Sequence, residues 1–558
     1  MRRIYYCTSF VITILSLTLL VIYMGKNGVP IYVDSLFHIN RIYEIRQSFL
    51  HLKLPTLVNL NSFFCIGQAI NGMYPDISLW PFVLVTIWLP FKEQIVMIKV
   101  LILLLTILVT YLALSKRGYD KFISIQVGIL YGFSGYSLFQ FVSEFQPGTA
   151  IIYIFSFEYY FLIRDICKCH RINKYLILKS GLLFTIVLYS HLLTSLVLMT
   201  LTVIYWAMVM IEENKFNTYF IINSFLGSLI AALCSLPVIV KTLLINRSGI
   251  AEPYGKGQVG TEKFFDLFSN VDISSRISLS IISLILILIA LVYINKKIEI
   301  TMFVQLVIML LCTNIAPWFL ISKLPLFNMM QFAPWRFGIW LSILPIVAFL
   351  YINETKFSLN GKKLLLTFLV LIATLGSLRI YKNDNKNATF NGNPSIFKKY
   401  NSKYKTFYSR VLVRDYSPRE INGKSNADVV AKESKESAYH PVIKTTKGKI
   451  HVSRTSKLGE VDLNTKKPLS GKLILPIYGY SSLLKNYKIF VDGYRLNSNQ
   501  LSIEKGWICL NLNGRKNVNN VKIKFQNPMY YYWVTLISLL MLLTCIILYY
   551  KKSKYYML

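Results

Sequence analysis

What most limits this chain is the recurrence of apolar runs long enough to cross a lipid bilayer. A hydrocarbon layer needs about 20 apolar residues in a helix, and such runs fill the first two thirds of the sequence. The first, Ile4–Met24, follows Met1-Arg2-Arg3. It lacks a small-residue cleavage site and is too long for a signal peptide, so it reads as a retained anchor with its N-terminus inside. Further runs occupy 95–115, 122–138, 148–163, 175–190, 191–211, 218–242, 276–295, 299–320, 337–353, 364–380 and 529–550. Hydrophobic residues fill 54% of the 558 positions, which excludes an ordinary soluble domain.

One further run, Asp76 to Pro90, is short, ends in proline and contains Pro81. If it does not cross, every basic connection falls on one side: Lys116-Arg117, the 164–174 loop, Lys296-Lys297, Lys362-Lys363 and Lys551-Lys552. The preference of basic loops for the cytoplasm therefore makes 76–90 interfacial or re-entrant. The expectation is a polytopic α-helical membrane protein of about 12 spans, located in the cell membrane with both termini cytoplasmic.

This topology divides the chain into a membrane domain over 1–380, an extracytoplasmic block over 381–528, and a final span with a basic tail over 529–558. The outer segments are the 25–94 loop, the 243–275 loop and the 381–528 block. In that block Lys472–Pro476, Lys488–Gly493, Gly506–Leu512 and Asn520–Phe525 alternate like strands, and Asp492-Gly493 and Asn513-Gly514 are hairpin-type turns. A small β-sandwich is expected. The block holds 28 Lys and Arg against 10 Asp and Glu, a large part of the net charge of +35. A basic outer face suits anionic partners such as lipid head groups or phosphate-rich wall polymers. Lys-rich coding bias gives the same surface, and nucleic acid is not expected in that compartment.

The eight cysteines are scattered and form no disulfide framework, and Cys167-Lys168-Cys169-His170 has no second pair to complete a metal site. There is no P-loop, no dinucleotide fingerprint and no nucleophile elbow. The inside loops are too short to hold a nucleotide-binding domain.

The chemistry concentrates in the first outer loop. Asp34, His38 and Arg41 are spaced i, i+4, i+7 and share one face of a helix. Leu36, Phe37 and Ile39 point elsewhere, where lipid is expected. The same spacing suits an amphipathic helix lying on the surface with its polar face in water. Other polar groups lie at the outer ends of runs: Glu144, His191 between Ser190 and Thr194, Lys241, Arg379, and Arg336 after Gln331-Phe332-Ala333-Pro334-Trp335. Several such groups at one level suggest a polar cavity opening outward. Lys241 and Arg379 read better as snorkelling to the head groups. His191 suits either a site or a hydrogen-bonding corner, and Glu158 requires a partner or a proton.

With Gly67–Pro75 (including Tyr74), Tyr131–Tyr136, Ser190–Thr194, Gln331–Phe337, Pro476–Tyr480 and Val491–Gly493, this arrangement resembles YfhO-type bacterial membrane proteins. It equally resembles those labelled 6-pyruvoyl-tetrahydropterin-synthase-related, and the likeness covers nearly the whole chain. The resemblance implies a C-type glycosyltransferase architecture, which uses polyprenyl-phosphate-linked sugars outside the membrane and an essential acid in the first outer loop. Asp34 is the matching position, and the implied role is general base. Arg336, His38, Arg41, His191 and Tyr74 are the implied donor-phosphate and substrate-binding residues. The acceptor is an anionic envelope polymer or lipid.

Many relatives carry two adjacent acids where this chain has Asp34-Ser35. A divalent metal would therefore meet one carboxylate and His38, an incomplete set, and no cofactor is assigned. Two other readings stay open. One is a non-catalytic scaffold for envelope polymers, and the other a transporter or flippase of lipid-linked glycans.

Overall fold

A computed structural model describes residues 29–30, 34–251, 259–269, 279–324, 327–330, 332–384, 389–390, 414–422, 432–512, 514–515, 517–556 and scattered positions between 11 and 21. The expected Ile4–Met24 anchor, Gln331, Asn513 and the side chains of Trp335 and Arg379 lie outside the described residues.

The chain is mostly helical, with a separate β-sheet domain near its C-terminus. The helices that matter here are α1 (Ser35–Leu50), α2 (Trp80–Thr86), α3 (Phe91–Ser115), α4 (Lys121–Gly132), α5 (Gly135–Leu138), α6 (Pro147–Tyr153), α7 (Ser156–Cys167), α8 (Lys174–Ser190), α9 (Leu192–Glu213), α10 (Thr218–Cys234), α11 (Leu236–Asn246), α12 (Ile281–Val292), α13 (Lys296–Leu311), α14 (Ala333–Leu350), α15 (Leu359–Asp384) and α16 (Met529–Tyr556). Among the described residues four are long and apolar enough to cross a membrane: α3, α9, α15 and α16. The count reaches six if two bent pairs each form one span.

The bends have local causes. The run expected over 218–242 turns by 71° between α10 and α11, because Pro237 cannot donate to the preceding turn. The Leu233 carbonyl thereby released accepts from Ser538 Oγ at 3.3 Å, and the neighbouring Cys234 carbonyl accepts from the Tyr189 hydroxyl. The run over 122–138 bends by 51° after α4, and α5 continues into a π-helical turn over Phe139–Ser143. The run over 148–163 breaks between α6 and α7. The Tyr153 carbonyl exposed there accepts from the hydroxyls of Tyr131 and Ser156, each at 2.8 Å. Residues 77–86 form one short apolar helical stretch, about 15 Å long at 1.5 Å per residue, too short to cross.

The opening helix departs from expectation. Leu36, Phe37 and Ile39 are buried rather than facing lipid, and so are His38, Asn40, Arg41 and Glu44. Phe37 packs edge-on to Phe63 and Tyr74, and Phe49 to Trp80. A surface-lying helix is excluded, because the 55–76 loop and α2 cover it. Glu44, its other carboxylate, accepts from Ser62 Oγ at 2.7 Å and Asn61 N at 3.3 Å.

The C-terminal domain holds two five-stranded antiparallel sheets, β10-β11-β7-β3-β4 and β5-β6-β12-β8-β9. The strands are β3 (Val442–Thr445), β4 (Gly448–His451), β5 (Ser453–Lys457), β6 (Glu460–Leu469), β7 (Lys472–Tyr478), β8 (Tyr487–Val491), β9 (Tyr494–Arg495), β10 (Leu501–Glu504), β11 (Trp507–Asn511) and β12 (Val518–Phe525). A shorter pair, β1 (Val29–Pro30) with β2 (Thr389–Phe390), stands apart.

Ile443, Leu475 and Ile508 from one sheet and Leu463, Ile489 and Val521 from the other share one buried core, which gives a sandwich. Asp492 and Gly493, at φ 44° and 85°, close the β8–β9 hairpin as a pair of left-handed residues. Gly514 follows β11 and precedes β12, which lie in different sheets. That turn crosses between the layers, a correction to the hairpin expected there.

The sandwich is tied to the first loop. Tyr478 N donates to Ile66 O at 2.7 Å, Ala69 N to Tyr480 Oη at 2.9 Å, and Asn527 Nδ2 to Pro55 O at 2.9 Å. Leu57, Val58, Leu60, Ile66 and Ala69 join the sandwich core.

Candidate functional site

Asp34 stands just before α1, half-exposed, with its carboxylate accepting from Gln146 Nε2 at 3.0 Å. The same amide group donates to Glu144 Oε1 at 3.1 Å. Gln146 therefore holds two carboxylates, one from the opening helix and one from the turn between α5 and α6. Ser35, the next residue, donates to the carbonyls of Ser143 and Glu144 at 3.1 and 2.9 Å. The second carboxylate comes from across the fold rather than from the next residue.

The turn that presents Glu144 and Gln146 is supported from below. Lys99, fully buried in α3, donates to Val142 O at 2.7 Å and lies over the Phe145 ring. Phe145 itself takes a left-handed φ of 52°, a conformation that non-glycine residues adopt only when their surroundings hold them in it.

One turn along α1, His38 meets Arg41 through Nδ1 at 3.1 Å. The Arg41 guanidinium stacks on the Tyr74 ring at 4.1 Å and donates to the Pro75 carbonyl. Tyr74 also meets the ring of His38 at 5.8 Å and that of His191 at 5.7 Å. His191 caps α9, with Nδ1 2.8 Å from Thr194 Oγ1. The hydrogen-bonding corner and the place beside the site are thus both present. Arg336, half-exposed in the first turn of α14, is anchored at its carbonyl by the Tyr153 hydroxyl at 3.1 Å.

The electrostatics of this group are set mainly by burial. Burial pushes the Asp34 carboxyl above its ordinary range, and the nearby Arg336 charge and the Gln146 hydrogen bond pull it part of the way back. His38 is held well below the ordinary imidazole value by burial, then by Arg41 and His191. His191 is lowered likewise by burial, Arg336 and Arg41. Both histidines are neutral at neutral pH. The Tyr74 phenol is pushed up to about 12 by burial, against the attraction of Arg41 and Arg336, so it stays a hydroxyl. The result is a half-buried carboxylate within the field of an arginine, beside the buried side chains of His38, Arg41 and His191.

All six residues singled out in the sequence, Asp34, His38, Arg41, Tyr74, His191 and Arg336, come together. Their accessibility separates them. Asp34, Tyr74 and Arg336 are partly open, whereas Arg41 is fully buried with its guanidinium engaged by Tyr74, Pro75 and His38.

Lys241 corrects an expectation. It does not snorkel but is fully buried, donating to Asp76 Oδ1 at 2.5 Å and to the carbonyls of Asn71 and Tyr74 at 2.6 and 3.3 Å. Glu158, for which the sequence offered no partner, pairs with Lys179 of α8. Gln146 was not foreseen at all. Its only signal is the polar Ser143-Glu144-Phe145-Gln146 stretch before Pro147-Gly148 between two apolar helices.

A divalent metal does not fit the described residues. No group of three His, Cys, Asp or Glu converges there, and the Gln146 amide presents hydrogens to the two carboxylates a cation would need.

Gly148 sets how closely α6 approaches the His191 corner. A Cβ at this position would lie 2.5 Å from the Ser190 carbonyl oxygen and 3.8 Å from His191 Cβ. Gly148→Ala is expected to cost about 1–3 kcal/mol by overpacking, read as a lowered thermal midpoint in detergent. An unchanged midpoint would show that this backbone contact yields freely.

No protein-family model matches the chain, and no curated protein shows significant sequence similarity to it.

Proposed function

We propose that this chain is an integral-membrane glycosyltransferase that moves a sugar from a polyprenyl-phosphate donor to a cell-envelope acceptor on the outer face of the membrane. One observation carries the reading: a half-exposed carboxylate of raised pKa, Asp34, lies within the field of an arginine, Arg336, at the end of an apolar helical body. The finer topology belongs to the same proposal: about twelve spans, both termini cytoplasmic, and the β-sandwich outside with the Asp34 site.

The chemistry follows from the charges. A polyprenyl-phosphate sugar already carries a good leaving group, so the protein has to activate a hydroxyl and stabilise a departing phosphate. Asp34 takes the proton of the acceptor hydroxyl as its oxygen attacks the anomeric carbon. The bond between that carbon and the phosphate oxygen breaks, and the electron pair leaves with the polyprenyl phosphate. Arg336, with its planar donors, holds the phosphate oxygens. In-line attack inverts the anomeric centre. Arg41 contributes positive field from beneath Tyr74, and the Tyr74 hydroxyl remains protonated to donate to substrate oxygen.

Gln146 fits this role for Asp34. It fixes the carboxylate by one oxygen and leaves the other for the acceptor.

A definite pH dependence follows. Transfer requires ionised Asp34, whose pKa is raised, so the rate rises with pH through a limb lying above the ordinary carboxylate range and then reaches a plateau. His38 and His191 are already neutral, so no descending limb appears between about pH 6 and 8, where an unperturbed histidine titrates. The measurement is transfer from a polyprenyl-phosphate hexose by the purified protein in detergent across this range. A bell-shaped profile falling near pH 7 would make a histidine the acid and remove Asp34 from the central role.

A further inference from the structure

The geometry points to a second ligand site, at the end of the membrane body opposite Asp34: a cationic cavity of about 550 Å³ that takes the phosphate head group of an anionic phospholipid. Arg117, Asp165, Lys168, His170, Arg171 and Tyr175 line it. Helix α8 runs from Lys174 beside this cavity to Ser190 beside the His191 corner, so the two sites stand about 25 Å apart along it. Lipid binding here does not depend on the transfer reaction.

Three observations build the site. First, its backbone is fixed before any ligand arrives. Asn217 Nδ2 donates to the carbonyls of Cys167 and Cys169 at 2.8 and 3.1 Å, Asn223 Nδ2 to Arg171 O at 2.9 Å, and Asn173 N to Asn223 Oδ1 at 3.0 Å. A loop whose carbonyls are held by side-chain amides loses little freedom on binding.

Second, the charge is in surplus. Arg117 and Arg164 both pair with Asp165, so one carboxylate serves two guanidinium groups. Glu212 and Glu213 pair with Lys168 and His170 at 3.3 and 3.1 Å. Among the described residues Arg171 has no carboxylate partner. A phosphate is the complement of that surplus.

Third, the surroundings are those of a lipid interface. Tyr175 stacks on Tyr549 of α16 with ring centroids 5.3 Å apart, an aromatic pair beside the run of basic residues that closes α16. Ile172, next to Arg171, is 55% exposed. An apolar side chain left open beside a cationic cavity suits acyl chains better than a soluble anion. Basic pockets between membrane helices recognise phospholipid head groups in this way.

The test places the full chain in nanodiscs of mixed phosphatidylglycerol and phosphatidylcholine, and the lipids retained on the protein are then quantified by native mass spectrometry. Retained phosphatidylglycerol is expected to be enriched at least about fivefold over the bulk, the worth of one basic residue near an anionic surface. In a Lys168→Gln/Arg171→Gln variant the enrichment falls to the bulk ratio; both side chains are exposed, and monodispersity checks the fold. A Lys296→Gln/Lys297→Gln variant removes equal charge from another basic connection and keeps the enrichment. Equal loss in both variants, or no loss in the first, would overturn the site. A parallel arm titrates inorganic phosphate into phosphatidylcholine nanodiscs. Stabilisation by phosphate that requires Lys168 and Arg171, without phosphatidylglycerol enrichment, would assign the cavity to a soluble anion and overturn the lipid.

Discussion

Lys241→Met is expected to destabilise the protein by about 3–5 kcal/mol, the usual consequence of leaving one partner of a buried ion pair alone. Asp76 is 1% exposed, and its two oxygens are taken by Lys241 and by Trp80 Nε1 at 3.0 Å. Without the ammonium group the carboxylate keeps a single neutral donor, and the carbonyls of Asn71 and Tyr74 lose theirs. The pair also links the α11 side of a helix bend to the segment that carries Tyr74 and Pro75, so the loss reaches the site. Asp76→Asn alone is expected to be similarly harmful, because it strands the lysine. The Asp76→Leu/Lys241→Met double variant recovers part of the loss, since no charge is then left buried. Thermal unfolding of the four proteins in the same detergent measures this. A Lys241→Met protein with the wild-type midpoint would show that water or lipid reaches Asp76.

Asp34→Asn is expected to lower transfer by about 10²–10⁴-fold, the range that a positioned general base supplies. The amide keeps the size of the carboxylate and an oxygen able to accept from Gln146 Nε2, so expression and the thermal midpoint stay near wild type. Donor binding stays within a small factor, because Arg336 still meets the phosphate. The split between a lost rate and a retained donor distinguishes a base from a structural residue. Equal loss of binding and rate would place Asp34 in donor recognition instead.

The legible part of this molecule was what short-range periodicity encodes. The apolar runs over 95–115, 175–190, 191–211 and 529–550 became single helices close to their expected bounds, whereas those over 122–138, 148–163 and 218–242 are broken. Alternation gave strands β7, β8, β11 and β12. The i, i+4, i+7 spacing placed Asp34, His38 and Arg41 together. The rest depends on contacts between distant segments. Gln146 reaches Asp34 across 112 positions and Lys241 reaches Asp76 across 165, and no local pattern carries such a pairing.

Lys241 misled because a lysine near the end of an apolar run ordinarily extends to the head groups, while its partner sits in another loop. Leu36, Phe37 and Ile39 misled for the converse reason. A helix with apolar residues around it reads as lipid-facing until the loop that covers it is known.

In the proposed reaction Asp34 and Arg336 together break the sugar–phosphate bond of a polyprenyl-phosphate donor. The direct measurement is release of free polyprenyl phosphate from radiolabelled polyprenyl-phosphate sugars by the purified full chain in the presence of envelope acceptor, run beside the Asp34→Asn variant. Release by the wild-type protein, with the variant binding the same donor but releasing none, is the predicted result. Release at equal rates by both proteins, or binding of no polyprenyl-phosphate sugar by either, would contradict it.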